Sequence, residues 1–265
     1  MTYEDILYDR DETGIATITI NRPDKLNAFR AQTVDELTHA FQAAWRDRGC
    51  GVVILTGAGD RAFCVGGDQS ARGEGGGYSD TARSDLGIDI DDLHTVIRDI
   101  PKPVIAAVNG YAIGGGHVVH VLCDLTIAAD HARFGQVGPK VGSVDPGFGT
   151  AYLARLVGQK KAREIWYLCR QYSADEALAM GLVNAVVPRE RLMDEARAWA
   201  GEILQKSPTA LKLAKASFNA DTENIRGIAT LGMTGLALYY DTEESAEGTV
   251  AFQEKRSPDF NRFRK

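Results

Sequence analysis

The 265-residue chain is predicted to fold as an α/β protein built on a parallel, crossover-connected sheet. Three observations predict this. Short β-branched runs alternate with segments of helical period over the first two thirds of the chain. Glycine-rich turns stand where two of those runs should end. From residue 188 onward the pattern is almost entirely helical.

Taken in order, Ile15 to Ile20 alternates as a strand and is stopped by Asn21-Arg22-Pro23-Asp24. A helix is expected from about Thr33 to Arg46, with Val34, Leu37, Phe41 and Trp45 on one stripe. Residues 51–56 read as a buried strand. The next stretch, 70–87, holds Gly73, Gly75, Gly76 and Gly77 and is too long for a plain connection, so a mobile flap over a site is expected. Ile90, Leu93 and Ile97 recur at helical spacing over 90–99, and Pro101 and Pro103 end that run. Strands follow at 103–108 and 124–128, with a buried helix between them opening near His117. Helices are then expected over Arg191 to Lys206, Pro208 to Asn219 and one long stretch from about Arg226 to Gln253. That last helix carries Leu231, Met233, Leu236, Leu238, Tyr239 and Tyr240, more apolar surface than a solitary helix should show, and is expected to pack on another subunit. The chain divides into a core with the site over 1–200 and a helical oligomerisation region over 201–265.

Composition narrows the function. A net charge of −6 and a pI near 5.4 argue against nucleic acid as a partner, since phosphates are attracted by a cationic field. The N-terminus shows no export signal, and no apolar stretch is long enough to span a bilayer, so no membrane partner is expected. Cys50, Cys64, Cys123 and Cys169 lack metal-ligand spacing and read as reduced thiols of a cytoplasmic protein. No metal is expected; His117 and His120 lie three apart on one helix without a third ligand and read as buried structural groups.

The chemistry is carried by Cys64-Val65-Gly66-Gly67-Asp68-Gln69 and Tyr111-Ala112-Ile113-Gly114-Gly115-Gly116-His117. Glycines leave main-chain N–H groups uncovered, and two such groups converging from separate turns can hold the charge of an enolate or oxyanion. The second turn leads into a helix, whose N-terminus adds partial positive charge.

Asn21-Arg22-Pro23 with Asn27-Ala28-Phe29, Ala62-Phe63-Cys64 with Gly66-Gly67-Asp68, and Gly110 to Gly116 together resemble the crotonase (enoyl-CoA hydratase/isomerase) superfamily over essentially the whole chain. The resemblance implies a β-β-α superhelix (spiral), a C-terminal helical trimerisation domain, a homo-oligomer that is a trimer or a dimer of trimers, and an acyl-CoA thioester substrate. No cofactor is implied beyond the coenzyme A of the substrate. It also implies that Gly67 and Gly115 donate to the thioester oxygen. Lys25, Leu26, Ala28, Val65, Gly66, Asp68, Gln69, Tyr111, Gly114 and Lys255 fall at the coenzyme A positions.

The departures matter as much. Enoyl-CoA hydratases carry two catalytic glutamates at positions occupied here by Val118 and Gly138, neither of which can move a proton, so simple hydration is not expected. The replacement segment, Gly135 to Gly147, offers Ser143 and Asp145, which alternation of an extended backbone would place on one side. It resembles two branches: 1,4-dihydroxy-2-naphthoyl-CoA synthase, which closes a ring, and 2-ketocyclohexanecarboxyl-CoA hydrolase, which opens one. Both work through a thioester enolate. Arg72-Gly73 with Tyr78, His117 and His120, and Gln171-Tyr172 favour the synthase. Ser143-Val144-Asp145-Pro146-Gly147, Leu93-His94-Thr95, Ser217-Phe218-Asn219 and Tyr239-Tyr240-Asp241-Thr242 favour the hydrolase.

Chemistry ranks the two. Many synthases grip bicarbonate as a base with a Gln-Thr-Gly turn and a tryptophan; here Gln136 and Trp166 remain, but Val137 replaces the hydroxyl, and Gly138 stands where other synthases use an aspartate. A lost hydrogen bond to a charged group is worth roughly 1 to 3 kcal/mol. The expectation is therefore ring opening of a cyclic β-keto acyl-CoA, with bicarbonate bound only if the chain is synthase-like. Asp145, assisted by Ser143, would orient water, Tyr240 from a neighbouring subunit would handle the enolate proton, and Tyr78 would close the flap.

Overall fold

In a computed structural model, which describes residues 2–71 and 82–264, ten strands form two sheets. The strands are β1 (Ile6–Arg10), β2 (Ile15–Ile20), β3 (Val52–Gly57), β4 (Ala62–Cys64), β5 (Val104–Val108), β6 (Tyr111–Ile113), β7 (Leu125–Ala129), β8 (Arg133–Gly135), β9 (Gln171–Ser173) and β10 (Ala185–Val187). The larger sheet has the order β1-β2-β3-β5-β7-β10 and the smaller β4-β6-β8-β9. Every neighbouring pair is parallel except β1 with β2 and β8 with β9. Each β3-β4, β5-β6 and β7-β8 pair puts one strand in each sheet. This is the α/β spiral arrangement that the sequence resemblance implies.

The buried runs explain the β-branched strands. In β3 every residue is buried, with Val53 and Leu55 packed into the main core and Val52 and Ile54 into a second cluster on the opposite face. Period-two alternation sends successive side chains to two different cores, so both need to be apolar. The helices α1 (Ala31–Arg46) and α2 (Ile90–Asp99) cover the main core; α3 (Gly115–Leu122) runs through it. Short helices α4 (Leu153–Val157), α5 (Gln159–Leu168) and α6 (Ala174–Ala179) follow, and α7 (Leu192–Leu204) closes the second face through Leu192, Ala196 and Ala200.

The C-terminal region comprises α8 (Pro208–Asp221), α9 (Glu223–Tyr240) and α10 (Glu243–Gln253). The single long helix expected over 226–253 is thus two helices. Thr242 breaks it: its Oγ1 donates to the Tyr239 carbonyl at 2.7 Å and accepts from the Ser245 N–H at 3.2 Å, capping α10. One face of α9, Ile225, Ala229, Met233 and Leu236, is buried in the main core of its own chain, while Leu231 and Leu238 are exposed. β1 was not foreseen because only its first residue is buried; Asp5 is also buried, just ahead of it. Among the described residues no helix is long and apolar enough to cross a membrane, and the four cysteines are unpaired.

Candidate active site

The two glycine turns meet. Phe29 N–H donates to the Gly66 carbonyl at 2.9 Å and Asp68 N–H to the Phe29 carbonyl at 2.8 Å, so residues 66–68 run beside Phe29 as one parallel bridge. Gly66 has φ +87°, and a Cβ there would lie 2.9 Å from the Gly115 nitrogen. Gly114, with φ +58°, caps α3 and donates to the Gly135 carbonyl at 3.0 Å. Only glycine adopts these angles without strain, which is why the turns carry the residues they do. Gly67 and Gly115 line one cavity, and neither N–H has a protein acceptor among the described residues. Gly115 is the first residue of α3, where the helix dipole adds positive potential. The arrangement suits a developing oxyanion.

Buried polar groups fix the first turn. Arg22 donates to Asp68 Oδ2 at 2.9 Å and also to the Ala28 carbonyl. Burial alone would raise the Asp68 carboxyl, but hydrogen bonds from Ser70 and Arg22 hold it below the usual carboxylate range. Asn27, wholly buried at φ +56°, donates to the Ala58 and Ala62 carbonyls at 2.9 and 2.7 Å. Asp68 and Asn27 therefore act as braces for the turn.

The cavity has a volume of about 960 Å³. Ser143, Asp145 and Tyr240 all line it, together with the apolar Val144, Met233 and Leu236. Ser143 Oγ and the Tyr240 hydroxyl are 2.8 Å apart. Two expectations change here. Tyr240 reaches the site from its own chain, because the buried face of α9 docks the helix on its own core. Ser143 is bonded to Tyr240, and Asp145 instead accepts from the Gly149 N–H at 3.2 Å; no hydrogen bond joins Ser143 to Asp145 among the described residues, since the backbone between them is irregular rather than a strand. Asp145 is half-buried on the cavity lining. Burial pushes its carboxyl up to about 7, with a further push from the charge of Asp91, and the Gly149 bond only partly offsets this. Such a group can take up and release a proton near neutrality.

Gln136 and Trp166, the groups of the bicarbonate reading, line the cavity but have protein partners. Trp166 Nε1 donates to the Gly149 carbonyl at 2.5 Å, and the Gln136 amide nitrogen lies 3.3 Å from His117 Nδ1. Val137 and Gly138 also line it. A Cβ at Gly138 would sit 2.5 Å from the Ser143 carbonyl and 2.9 Å from the Trp166 ring, so no carboxylate side chain fits there. Val118 is fully buried. His117 and His120 are fully buried, their rings 4.9 Å apart and edge-on; burial brings His117 down to about 3, keeping it neutral. Among the described residues no cluster of metal-binding side chains occurs.

Lys25, Leu26, Ala28, Val65, Gln69 and Tyr111 also line the cavity. Lys25 Nζ lies 3.4 Å from Ser70 Oγ. Lys255 does not line it; α10 contributes Phe252 and Gln253 there instead, and Lys255 stands exposed just beyond, at φ +56°. Tyr78 and Arg72 lie outside the described residues. The described parts of the expected flap are residues 70–71 and 82–87, and the second includes the buried Leu86, which with Ile88 and Ile90 lines the cavity. Sequence reasoning missed these apolar residues, and also Arg61 and Lys140, two further cations on the lining. The only local signal was the apolar pair Leu86 and Ile88, in the stretch just ahead of the helix expected from Ile90.

A family model described as enoyl-CoA hydratase/isomerase matches residues 10–263. Solved structures agree. An enoyl-CoA hydratase from Mycobacterium avium subsp. paratuberculosis K-10 is 28% identical with a TM-score of 0.86, over 98% of this chain and 100% of that one. A structure described as enoyl-CoA hydratase subunit I from Geobacillus kaustophilus HTA426 is 32% identical with a TM-score of 0.74, over 98% of both chains. A monofunctional enoyl-CoA isomerase from M. smegmatis is 30% identical with a TM-score of 0.71, over 83% of this chain and 94% of that one.

Proposed function

This chain belongs to the enoyl-CoA hydratase/isomerase (crotonase) family, and from that premise we propose that it opens the ring of a cyclic β-keto acyl-CoA, in the manner of a 2-ketocyclohexanecarboxyl-CoA hydrolase. The observation that carries the reading is Asp145: a carboxyl on the lining of the cavity that Gly67 and Gly115 also line, buried enough to work as a base near neutrality, two residues from the Ser143 that pairs with the Tyr240 hydroxyl.

In the proposed reaction the thioester oxygen accepts from the N–H groups of Gly67 and Gly115. Asp145 takes a proton from water as its oxygen bonds to the ring ketone carbon. The adduct collapses: the bond from that carbon to the α-carbon breaks, a carboxyl group forms, and the electron pair moves into the thioester enolate held by the two amides. The Tyr240 hydroxyl, aligned by Ser143, delivers a proton to the α-carbon and is re-protonated through Ser143 and solvent. Water is the only co-reactant. One lost oxyanion donor raises such a barrier by about 3 kcal/mol.

Hydration of an enoyl thioester is not the proposed activity, because Val118 and Gly138 replace its glutamate pair. The alternative reading is 1,4-dihydroxy-2-naphthoyl-CoA synthase, with bicarbonate as base. It is weakened by the engagement of Trp166 with Gly149 and of Gln136 with His117, which leaves fewer donors for an anion. A non-catalytic acyl-CoA-binding role is disfavoured by the Asp145 and Tyr240 arrangement. Coenzyme A is held in this reading by Lys25 and Arg61 with Lys140 at the mouth. Exposed Leu213, Phe218, Leu231 and Leu238 on α8 and α9 support a homotrimer or dimer of trimers, and the proposed compartment is the cytoplasm.

A paired assay tests this: 2-ketocyclohexanecarboxyl-CoA in water, and o-succinylbenzoyl-CoA with and without bicarbonate. Ring opening of the first supports the reading. Bicarbonate-dependent cyclisation of the second, without turnover of the first, replaces it with the synthase.

A further inference from the structure

The bond between Trp166 and Gly149 reaches Asp145. Gly147, at φ +81°, opens a π-helical turn over Phe148–Tyr152, and Gly149 lies inside that turn. Asp145 leaves no room for a side chain at residue 149: a Cβ there would come 2.9 Å from the Asp145 Cβ and 3.0 Å from its Oδ1. Hydrogen bonds therefore hold Gly149 where a side chain cannot, one on each side of its Cα. Its N–H donates to Asp145 Oδ1 at 3.2 Å, and its carbonyl accepts from Trp166 Nε1 at 2.5 Å. Trp166 comes from α5, is buried, and has its ring seated against Gly138, where an added Cβ would meet it at 2.9 Å. An indole has a single donor, and this one is spent on the loop that carries the carboxyl.

We propose that Trp166 is a positioning residue for Asp145: by fixing the Gly149 carbonyl it fixes the N–H of the same residue, and that N–H sets the direction of the carboxylate that takes the proton of water. Its part in turnover rests on the ring-opening reading above. Glycine has the widest backbone freedom of any residue, so a bond on one side of its Cα decides the direction of the group on the other. A π turn is an uncommon backbone and is concentrated at functional sites. The residues beside Gly149 are held by packing alone. The His94 ring meets Phe148 edge-on at 5.9 Å, the Arg98 guanidinium lies 5.7 Å from the same ring, and Gly147 abuts the backbone of Ala229 in α9 so closely that a Cβ would lie 2.6 Å from its Cα. These contacts place the loop, while the Trp166 bond orients the one N–H in it that Asp145 accepts from. A base works on its proton over about 2.6 to 3.2 Å, and a misplacement of about 1 Å costs about 100-fold, so a modest rotation at Gly149 is enough to be felt in the rate.

The test is a double-mutant cycle on the full chain, read by kinetics and by NMR. Trp166→Phe keeps an aromatic ring and removes the N–H. With 2-ketocyclohexanecarboxyl-CoA it is expected to lower kcat about 10- to 100-fold with KM held within about twofold. In the Asp145→Asn background the same change should cost kcat almost nothing further, because the group it positions is already gone. An equal loss in both backgrounds is what a merely structural role or direct contact with substrate would give, and it overturns the proposal. The second readout needs no turnover: the amide proton of Gly149, assigned by its absence in Gly149→Ala, is expected to shift upfield in Trp166→Phe as its bond to the carboxylate loosens. An unmoved Gly149 signal overturns the proposal whatever the activity. A moved signal in a protein that does not open the ring removes the proposed reaction and supports the link from Trp166 to Asp145. A third measurement leaves Trp166 intact: its indole proton, told from those of Trp45 and Trp199 by Trp45→Phe and Trp199→Phe, is expected to shift in Asp145→Asn, and an indole signal blind to that change also overturns the link.

Discussion

Replacing Gly66 by alanine tests the meeting of the two turns. The added Cβ would sit 2.9 Å from the Gly115 nitrogen and 3.4 Å from the Ile113 carbonyl oxygen, both main-chain atoms that cannot swing aside. Ordinary contacts lie near 3.5 Å or beyond, so the Gly115 amide must retreat by about half an ångström. The φ of +87° adds backbone strain of roughly 1 to 2 kcal/mol for a residue with a side chain. An oxyanion donor works at about 2.7 to 3.1 Å, and losing one costs about 10²- to 10³-fold in kcat. Gly66 itself falls at a coenzyme A position, so KM is expected to rise as well, by less than kcat falls. Steady-state ring opening of 2-ketocyclohexanecarboxyl-CoA, with calorimetry, is the assay. Gly201→Ala in α7, where a Cβ meets nothing within 4 Å, is the control and should keep kcat while gaining a little stability. If Gly66→Ala loses stability yet keeps kcat within about threefold, the converging amides are not what holds the charge.

Asp145→Asn should lower kcat by about 10²- to 10⁴-fold while stabilising the fold at high pH. A carboxyl raised from 3.8 to about 7 holds its proton more tightly when folded. Its contribution to stability is therefore undiminished below about pH 4 and declines as pH rises towards 7. Melting curves should show the variant matching the parent near pH 3.5 and gaining on it from about pH 4 to about 7, and a constant difference would contradict the assignment. Tyr240→Phe and Ser143→Ala should each reduce kcat about tenfold or more, and the double variant should lose little beyond either single one, because they act through one hydrogen bond. Additive losses would separate their roles. Lys215→Met should destabilise the chain by about 3 to 5 kcal/mol, seen as a lower Tm, since Lys215 is buried and donates to the Ile97 and Lys102 carbonyls at 3.2 and 3.1 Å and to Asp124 at 2.7 Å. An unchanged Tm would mean that this anchor between α8 and the core carries no net stability.

The fold and the oxyanion turns were legible in the sequence because each depends on local rules: Val52 to Leu55 on two-faced burial, Gly66 and Gly114 on positive φ. Ser143 and Asp145 were legible as site residues because the departures at Val118 and Gly138 pointed to a replacement segment. Leu86 and Ile88 were not, since their neighbours in sequence say nothing of which cavity they face. Residue order alone established the family resemblance, most of the core elements and the groups available for chemistry. Tertiary structure alone decided that Tyr240 returns to Ser143 of its own chain and that Trp166 is already engaged by Gly149. These are matters of distance between residues far apart along the chain, and distance is fixed by how the buried faces of α2, α5 and α9 pack together.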